Sequence, residues 1–221
     1  MGILKLENVS YRYEDAPLEE YVLKNINYEF EQGKTYAIKG RSGSGKTTLL
    51  SLISGLEKLT DGQILYDGQD LNRVDLDKYR SNNIGIIFQS FNLLPHLNAL
   101  ENIILSMDVS GLKITDKKGA AIQLLESVGL NSTHGQRRVL KLSGGEQQRV
   151  AIARSLSYNP KIIIADEPTG NLDKETENEI ISIFKKLAKE GKCIIIVTHS
   201  DNVAKQVDEV FDLKKRGKLE K

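Results

Sequence analysis

The sequence has a single cysteine, Cys193, among 221 residues. No disulfide framework can form within the chain, and a reducing compartment is allowed. Cys193 stands in an apolar run and reads as a small core residue. Long apolar runs are missing too: no stretch reaches the roughly 18 residues that a membrane-spanning helix needs. If the function involves a membrane, another polypeptide must supply the spans. The start, Met1-Gly2-Ile3-Leu4-Lys5-Leu6-Glu7, does not read as a secretory signal. Leu6, where Ser or Thr is required, excludes N-myristoylation on Gly2. Charge of one sign is not in excess. Lys and Arg total 31 against 30 Asp and Glu, a net charge of +1, so electrostatics give no reason to expect nucleic acid as the main partner. No internal repeat is present. With 39% hydrophobic and 28% charged residues, the composition is that of an ordinary globular chain. Its length suits one large domain or a core with an inserted subdomain.

What is there is organised around Gly40-Arg41-Ser42-Gly43-Ser44-Gly45-Lys46-Thr47-Thr48. This fits the phosphate-loop pattern, with Gly40, Gly45, Lys46 and Thr47 at its fixed positions. Residues 35–39 before it are strand formers. Residues 48–54 after it suit a helix, and Gly55 suits the helix end. Glycines let backbone N–H groups converge on a triphosphate without side chains in the way. The following helix points its positive end at the anion. Lys46 adds a mobile cation for the β- and γ-phosphates, and Thr47 places a hydroxyl on Mg²⁺. A nucleoside triphosphate with Mg²⁺ is therefore the expected ligand.

Two further runs end in chemistry. Residues 161–167 form a continuous apolar strand closed by Asp166 and Glu167, as in a parallel sheet buried on both faces. Ligands of open α/β sheets bind at the carboxyl ends of such strands. Asp166 is placed to hold Mg²⁺, and Glu167 to polarise an attacking water. Residues 193–198 form a second buried strand, and His199 at its end could hydrogen-bond a γ-phosphate. Residues 84–88 form a third, ending at Gln89. That amide could ligate Mg²⁺ and the attacking water, or be a solvated loop residue.

Leu142-Ser143-Gly144-Gly145-Glu146-Gln147-Gln148-Arg149 opens a helix. Ser143 and Glu146 make a capping box, and the helix start is a second anion-binding surface. The box does not explain Gly144 and Gly145, which weaken a helix start unless a backbone must be approached closely.

The rest is scaffold. Residues 3–13 and 22–30 read as strands forming an antiparallel edge on the core. Tyr11 and Tyr13 at the end of the first either stack on a flat base or pack within the strand. Residues 62–66 are a short strand followed by an Asp67-Gly68 turn, and residues 71–80 are undecided. Phe91-Asn92-Leu93-Leu94-Pro95-His96-Leu97 is apolar but broken by Pro95. It is either a contact site for another protein or packs under the next helix. Residues 100–107, 117–128 and 174–189 read as helices, the last with Ile180, Ile183, Phe184 and Leu187 on one face. His96, His134, Arg137 and Arg138 are expected to face water, as is the basic tail 214–216.

The order of these motifs resembles that of the ATP-binding-cassette ATPases over essentially the full chain. The run from Leu142 is the most specific match, because other phosphate-loop enzymes lack it. The resemblance implies an α/β fold in one nucleotide-binding domain. Residues 1–89 and 160–221 would form a RecA-like core with a mostly parallel sheet and an antiparallel β edge. Residues 90–159 would form an inserted helical subdomain carrying the signature run. It further implies that two subunits close head to tail around two ATP molecules. Each ATP would lie between residues 40–48 of one copy and Ser143, Gly144, Gly145 and Glu146 of the other. Tyr13 then looks like the adenine-stacking aromatic, Gln89 the lid residue that senses Mg²⁺ and the membrane subunit, and Glu167 the catalytic base. Asp173 looks like the acid that communicates across the dimer, and His199 the switch histidine. Arg41 stands where proline is frequent, and Glu146 where glutamine is commonest.

Residues 166–173, with Gly170-Asn171 in place of the widespread Ser-Ala, resemble the branch of macrolide and antimicrobial-peptide exporters, lipoprotein-release ATPases and cell-division ATPases. Residues 88–95 and Glu101-Asn102 are similar to that branch as well. The resemblance implies a cytoplasmic subunit, peripheral on the inner face of the plasma membrane. A permease would dock near residues 91–97, and an extracytoplasmic adaptor would accompany an exporter of peptides or drugs. A regulatory ATPase that moves no cargo fits the same motifs. A chromosome-type ATPase would need a coiled coil splitting the motifs, and a translation type would need two cassettes.

Overall fold

The structure is a computed structural model that describes residues 2–17, 19–213 and the backbone of 219–220. The basic tail 214–216 lies outside the described residues. The element order is β1 (Leu4–Tyr11), β2 (Leu23–Phe30), β3 (Thr35–Lys39), α1 (Lys46–Ile53), β4 (Asp61–Tyr66), β5 (Gln69–Asp70), α2 (Leu76–Asn82), β6 (Ile84–Ile87), α3 (Ala99–Ser110), α4 (Lys117–Ser127), α5 (Ser132–Gly135), α6 (Gly144–Ser155), β7 (Ile162–Asp166), α7 (Lys174–Lys189), β8 (Cys193–Val197), α8 (Asp201–Ala204), β9 (Glu209–Leu213) and β10 (Leu219–Glu220). One sheet has the order β10-β9-β3-β8-β7-β6. Its β9, β3, β8, β7 and β6 run parallel, and β10 pairs antiparallel with β9. The antiparallel part expected beside it is present as a separate four-stranded sheet, β2-β1-β4-β5.

The continuous apolar runs have a direct cause. Strand side chains alternate between faces, and both faces of the parallel sheet are covered. Ile162 and Ile164 of β7, with Cys193, Ile195 and Val197 of β8, pack toward the antiparallel sheet and α1. Ile163 and Ala165, with Ile194 and Ile196, pack toward α3, α4, α6 and α7. Cys193 is fully buried and free, and burial pushes its thiol pKa far up. The amphipathic face of α7 enters that second core through Ile180, Ile183, Phe184 and Leu187, joined by Ile181. The Asp67-Gly68 turn joins β4 to β5 with both φ angles positive, 49° and 77°, the demand of a tight hairpin turn. The undecided residues 71–80 become a short 3₁₀ turn and α2, whose N-cap Asp75 accepts from the amides of Asp77 and Lys78.

Residues 91–97 take neither alternative outright. Phe91 and Leu93 pack on the helical core, while Leu94, Pro95 and His96 are exposed. Asn102, 2% exposed, pins the segment. Its Oδ1 accepts from Leu94 N at 2.8 Å, and its Nδ2 donates to Leu94 O at 3.3 Å and Asn98 O at 2.9 Å. Glu101 completes a capping box with Asn98. Leu105 and Val109, one turn apart on α3, and Leu112 just past its end are also exposed.

Candidate nucleotide site

The parallel register brings the motifs to one edge. Ile38 pairs with Val197, and Val197 with Asp166. Thr198 N donates to Ile38 O at 3.2 Å, and Glu167 N to Val197 O at 2.9 Å. The glycine loop, the acidic pair and His199 therefore leave their strands side by side. A cleft of about 430 Å³ opens there, lined by Tyr13, Val22, Ser42, Gly43, Gly45, Lys46, Thr47, Thr48, Gln89, Asp166, Glu167 and His199. Gly40, Arg41 and Ser44 belong to the same loop but are not among the residues lining the cleft.

The loop is built to offer backbone. Gly43 and Gly45 have φ of 75° and 93°, and nothing stands within 4 Å of a Cβ added at Gly43. A Cβ on Gly40 would lie 2.4 Å from Ser44 Oγ and 2.6 Å from Leu213 O. Gly45 is the N-cap of α1 without any side-chain cap, so the first amides of that helix are left for an anion. Lys46 is 8% exposed. Its Nζ donates to Gly40 O at 2.8 Å and Arg41 O at 3.2 Å. Burial lowers its pKa, against the opposing pull of Glu167 and Asp166. Ser44 Oγ and Glu167 Oε1 are buried without a hydrogen-bond partner. The convergent backbone donors of the loop fit an anionic ligand, while the unpaired Glu167 oxygen, an acceptor, fits a donor such as water beside it.

Glu167 and His199 meet. His199 Nε2 lies 3.3 Å from Glu167 Oε1, close but not aligned as a hydrogen bond, and His199 N donates to Glu167 Oε2 at 3.2 Å. Glu167 has a φ of 45°, a strained geometry for a residue with a side chain. Asp166 is half-buried, and burial followed by Glu167 raises its pKa, opposed by Lys46 and His199. Thr47, Gln89 and Asp166, expected from the sequence to hold Mg²⁺, all line this cleft. One carboxylate, one hydroxyl and one amide suit a small hard cation that takes its other ligands from water and phosphate oxygens. The two tyrosines separate. Tyr11 is a core residue, 7% exposed, and Tyr13 is 55% exposed at the cleft mouth, edge-to-face on Tyr11 at 5.3 Å.

The second glycine run does not line the cleft. Ser143 Oγ accepts from Glu146 N at 3.2 Å, and Glu146 Oε2 accepts from Ser143 N at 2.7 Å, completing the expected box at the start of α6. That hydrogen bond holds the Glu146 pKa low. His134 does not simply face water: its Nε2 lies 3.2 Å from Glu146 Oε1. A Cβ on Gly145 would sit 2.6 Å from Thr176 Cγ2, so close packing explains this glycine. At Gly144 the nearest atom would be Leu172 Cδ2 at 3.6 Å, an ordinary contact. Asp173 caps α7, accepting from Thr176 N at 3.0 Å and Thr176 Oγ1 at 2.9 Å.

Two contributors were missed in sequence. Val22 lines the cleft beside Tyr13, hidden as an ordinary strand residue. Glu177, 8% exposed, accepts from Thr169 Oγ1 at 3.2 Å and Asn202 Nδ2 at 2.7 Å. It thereby ties the segment after Glu167 to the one after His199. No spacing announces a buried acid on an amphipathic helix.

A family profile described as ABC transporter matches residues 23–170. The uncharacterized ABC transporter ATP-binding protein YclH of Bacillus subtilis is 43% identical over 209 residues, covering 94% of this chain and 92% of its own. The lipoprotein-releasing system ATP-binding protein LolD of Idiomarina loihiensis is 40% identical, covering 96% and 95%. A solved dimeric structure of the ATP-binding cassette MJ0796 in a post-hydrolysis state, bound to ADP and Pi, superposes with a TM-score of 0.87 at 40% identity, covering 99% and 97%.

Lys46→Ala is expected to weaken nucleotide binding by about 10- to 100-fold, the worth of a charge-assisted contact. Isothermal titration with a non-hydrolysable ATP analogue reads this, and an unchanged affinity would refute the cradle. Asp166 gives a second test. Its raised pKa means that ionisation costs folding stability, a cost absent below the unfolded-state pKa and growing as pH rises through the folded one. Asp166→Asn should therefore raise the melting temperature of the nucleotide-free chain at neutral pH while removing Mg²⁺-dependent hydrolysis. A lowered melting temperature in calorimetry would contradict the assignment.

Proposed function

The chain belongs to the ABC transporter family, as an ATP-binding and ATP-hydrolysing subunit, and on that premise we propose that it drives a separate membrane permease by closing as a homodimer around ATP. Among the described residues no helix is long and apolar enough to cross a membrane. The single observation that carries the reading is the division of the anion-binding surfaces. The cleft at Lys46 gathers Thr47, Gln89, Asp166, Glu167 and His199. The glycine-rich start of α6 is outside it, with Gly144 open to approach. A second copy supplies each cleft with the surface it lacks.

In that dimer residues 40–48 bind the phosphates, with Lys46 on the β- and γ-oxygens. Tyr13 and Val22 flank the base. Thr47, Gln89 and Asp166 hold Mg²⁺, which when bound neutralises charge on the β- and γ-oxygens. Glu167 orients water for in-line attack and takes up its proton, with His199 beside it. Ser143, Gly144, Gly145 and Glu146 of the partner copy face the γ-phosphate, and Asp173 lies beside them. The core of residues 1–89 and 160–221 and the helical part of residues 90–159 are its two lobes. The permease docks on the exposed part of residues 91–97, together with Leu105, Val109 and Leu112, which places the subunit on the inner face of the plasma membrane. Residues 166–173 resemble the branch shared by exporters, lipoprotein-release ATPases and cell-division ATPases; within it our reading is export of antimicrobial peptides or drugs, with a regulatory ATPase that moves no cargo as the alternative.

Glu167→Gln should keep ATP binding, slow hydrolysis by about 10²- to 10⁴-fold and accumulate a dimer with ATP. Light scattering that finds a monomer at saturating ATP would reject the sandwich. The partner is tested by purifying the chain from membranes and identifying what accompanies it. A permease with an extracytoplasmic adaptor, moving peptide or drug in liposomes, is the expected result. A permease that moves nothing in liposomes would replace export with regulation. Recovery without any membrane protein would remove the transporter reading.

A further inference from the structure

The loop behind Gln89 is held in a conformation its residues do not favour. Phe91 and Asn92 have φ of 60° and 49°. These are consecutive left-handed residues, a geometry that asparagine bears better than phenylalanine. Phe91 also packs on the helical core, so it cannot relax without giving up that contact. The turn is short and internally bonded. Phe91 N donates to Phe88 O at 3.0 Å, Asn92 N to Ser90 O at 2.6 Å, and Ser90 Oγ to Asn92 Oδ1 at 2.8 Å. Displacing the carbonyls of Phe91 and Asn92 therefore displaces Gln89.

Those two carbonyls are what Arg154 holds. Its Nη1 donates to Asn92 O at 2.5 Å and its Nη2 to Phe91 O at 2.8 Å. The side chain is half-buried, and burial lowers its pKa without a carboxylate acting on it. Its fork is spent on main chain. A planar fork suits two successive carbonyls, whereas a lysine presents a single point of charge. Arg154 also lies near the C-terminal end of α6 (Gly144–Ser155), eleven residues and about 16 Å from Ser143 at the other end.

We propose that Arg154 is a positioning residue for hydrolysis: it clamps the left-handed loop, fixes where Gln89 enters the cleft, and fastens that loop to the helix that begins at Ser143. The inference rests on the ATPase reading given above. It assigns Arg154 no contact with nucleotide, so its loss acts on rate rather than on ATP affinity.

The test is steady-state ATP hydrolysis by the full chain. Arg154→Lys keeps the charge and loses the fork. It is expected to lower kcat by about 10- to 100-fold, the scale of a misplaced catalytic group, with KM for ATP unchanged. Asn92→Gly removes the steric cost of the left-handed geometry. Added to Arg154→Lys, it is expected to return kcat to within about threefold of the unaltered chain, a rescue that lost packing would not give. Full activity in Arg154→Lys, or no rescue by Asn92→Gly, overturns the proposal. If circular dichroism shows Arg154→Lys unfolded, Asn92→Ala decides. It raises the left-handed cost at an exposed position, and an undiminished kcat there overturns the proposal. No hydrolysis by the unaltered chain would overturn the ATPase reading and this inference together.

Discussion

Everything in this molecule depends on the parallel hydrogen-bond register of β3, β8 and β7. Ile38, Val197 and Asp166 are in step across three strands. The next residues of each strand therefore turn into the same space: the glycine loop from one, His199 from another, Glu167 from the third. A slip in this register would separate Lys46 from the acids and turn every side chain of the slipped strand to the opposite face. Burial on both faces of the sheet prevents it, because Ile162 and Ile164 fill one core while Ile163 and Ala165 fill the other. Packing that stabilises the fold is the same packing that aligns the chemistry.

The site built on that edge is costly. Lys46 and Asp166 lie in one cleft, and burial acts on each against its charged form. Their mutual attraction offsets part of this. Glu167 adds a left-handed backbone and a carboxylate oxygen without a hydrogen-bond partner. Strain and incomplete pairing of this kind persist where the surroundings over-determine them. Here the surroundings are the Val197 carbonyl accepting from the Glu167 amide, and buried Glu177 tying both neighbouring segments together. A triphosphate with Mg²⁺ supplies the charges that these groups lack, so binding energy and the site's own instability are two sides of one arrangement.

Much of this was legible in the sequence, for identifiable reasons. The phosphate loop is read from fixed spacing, and the parallel strands from apolar runs too regular for a half-exposed sheet. The capping box at Ser143 and Glu146 is local, and its atoms bond as the spacing requires. Contributions from distant partners were not legible. Val22 reaches the cleft by the course of another strand. Glu177 looks like one more solvated acid on α7. The fork of Arg154 meets carbonyls 62 and 63 residues away, and a mainly aliphatic helix gives no hint of it. The 91–97 stretch resisted decision because the structure divides it, turning Phe91 and Leu93 inward and Leu94 outward.

The glycines of the second run show how a local account, carried to its end, identifies what is not local. Within one chain, Ser143 and Glu146 are explained by capping, Asp173 by the cap of α7, and Gly145 by the approach of Thr176. Gly144 is left over. It has room for a side chain and sits in the first turn of a helix, where glycine brings no helix-forming advantage over alanine. No contact among the described residues requires it to be bare. A position whose residue type has no reason inside the molecule, beside helix amides facing outward, is where a second molecule leaves its mark on the sequence. The cleft at Lys46 lacks such a surface on its open side, and a copy of the same chain carries one.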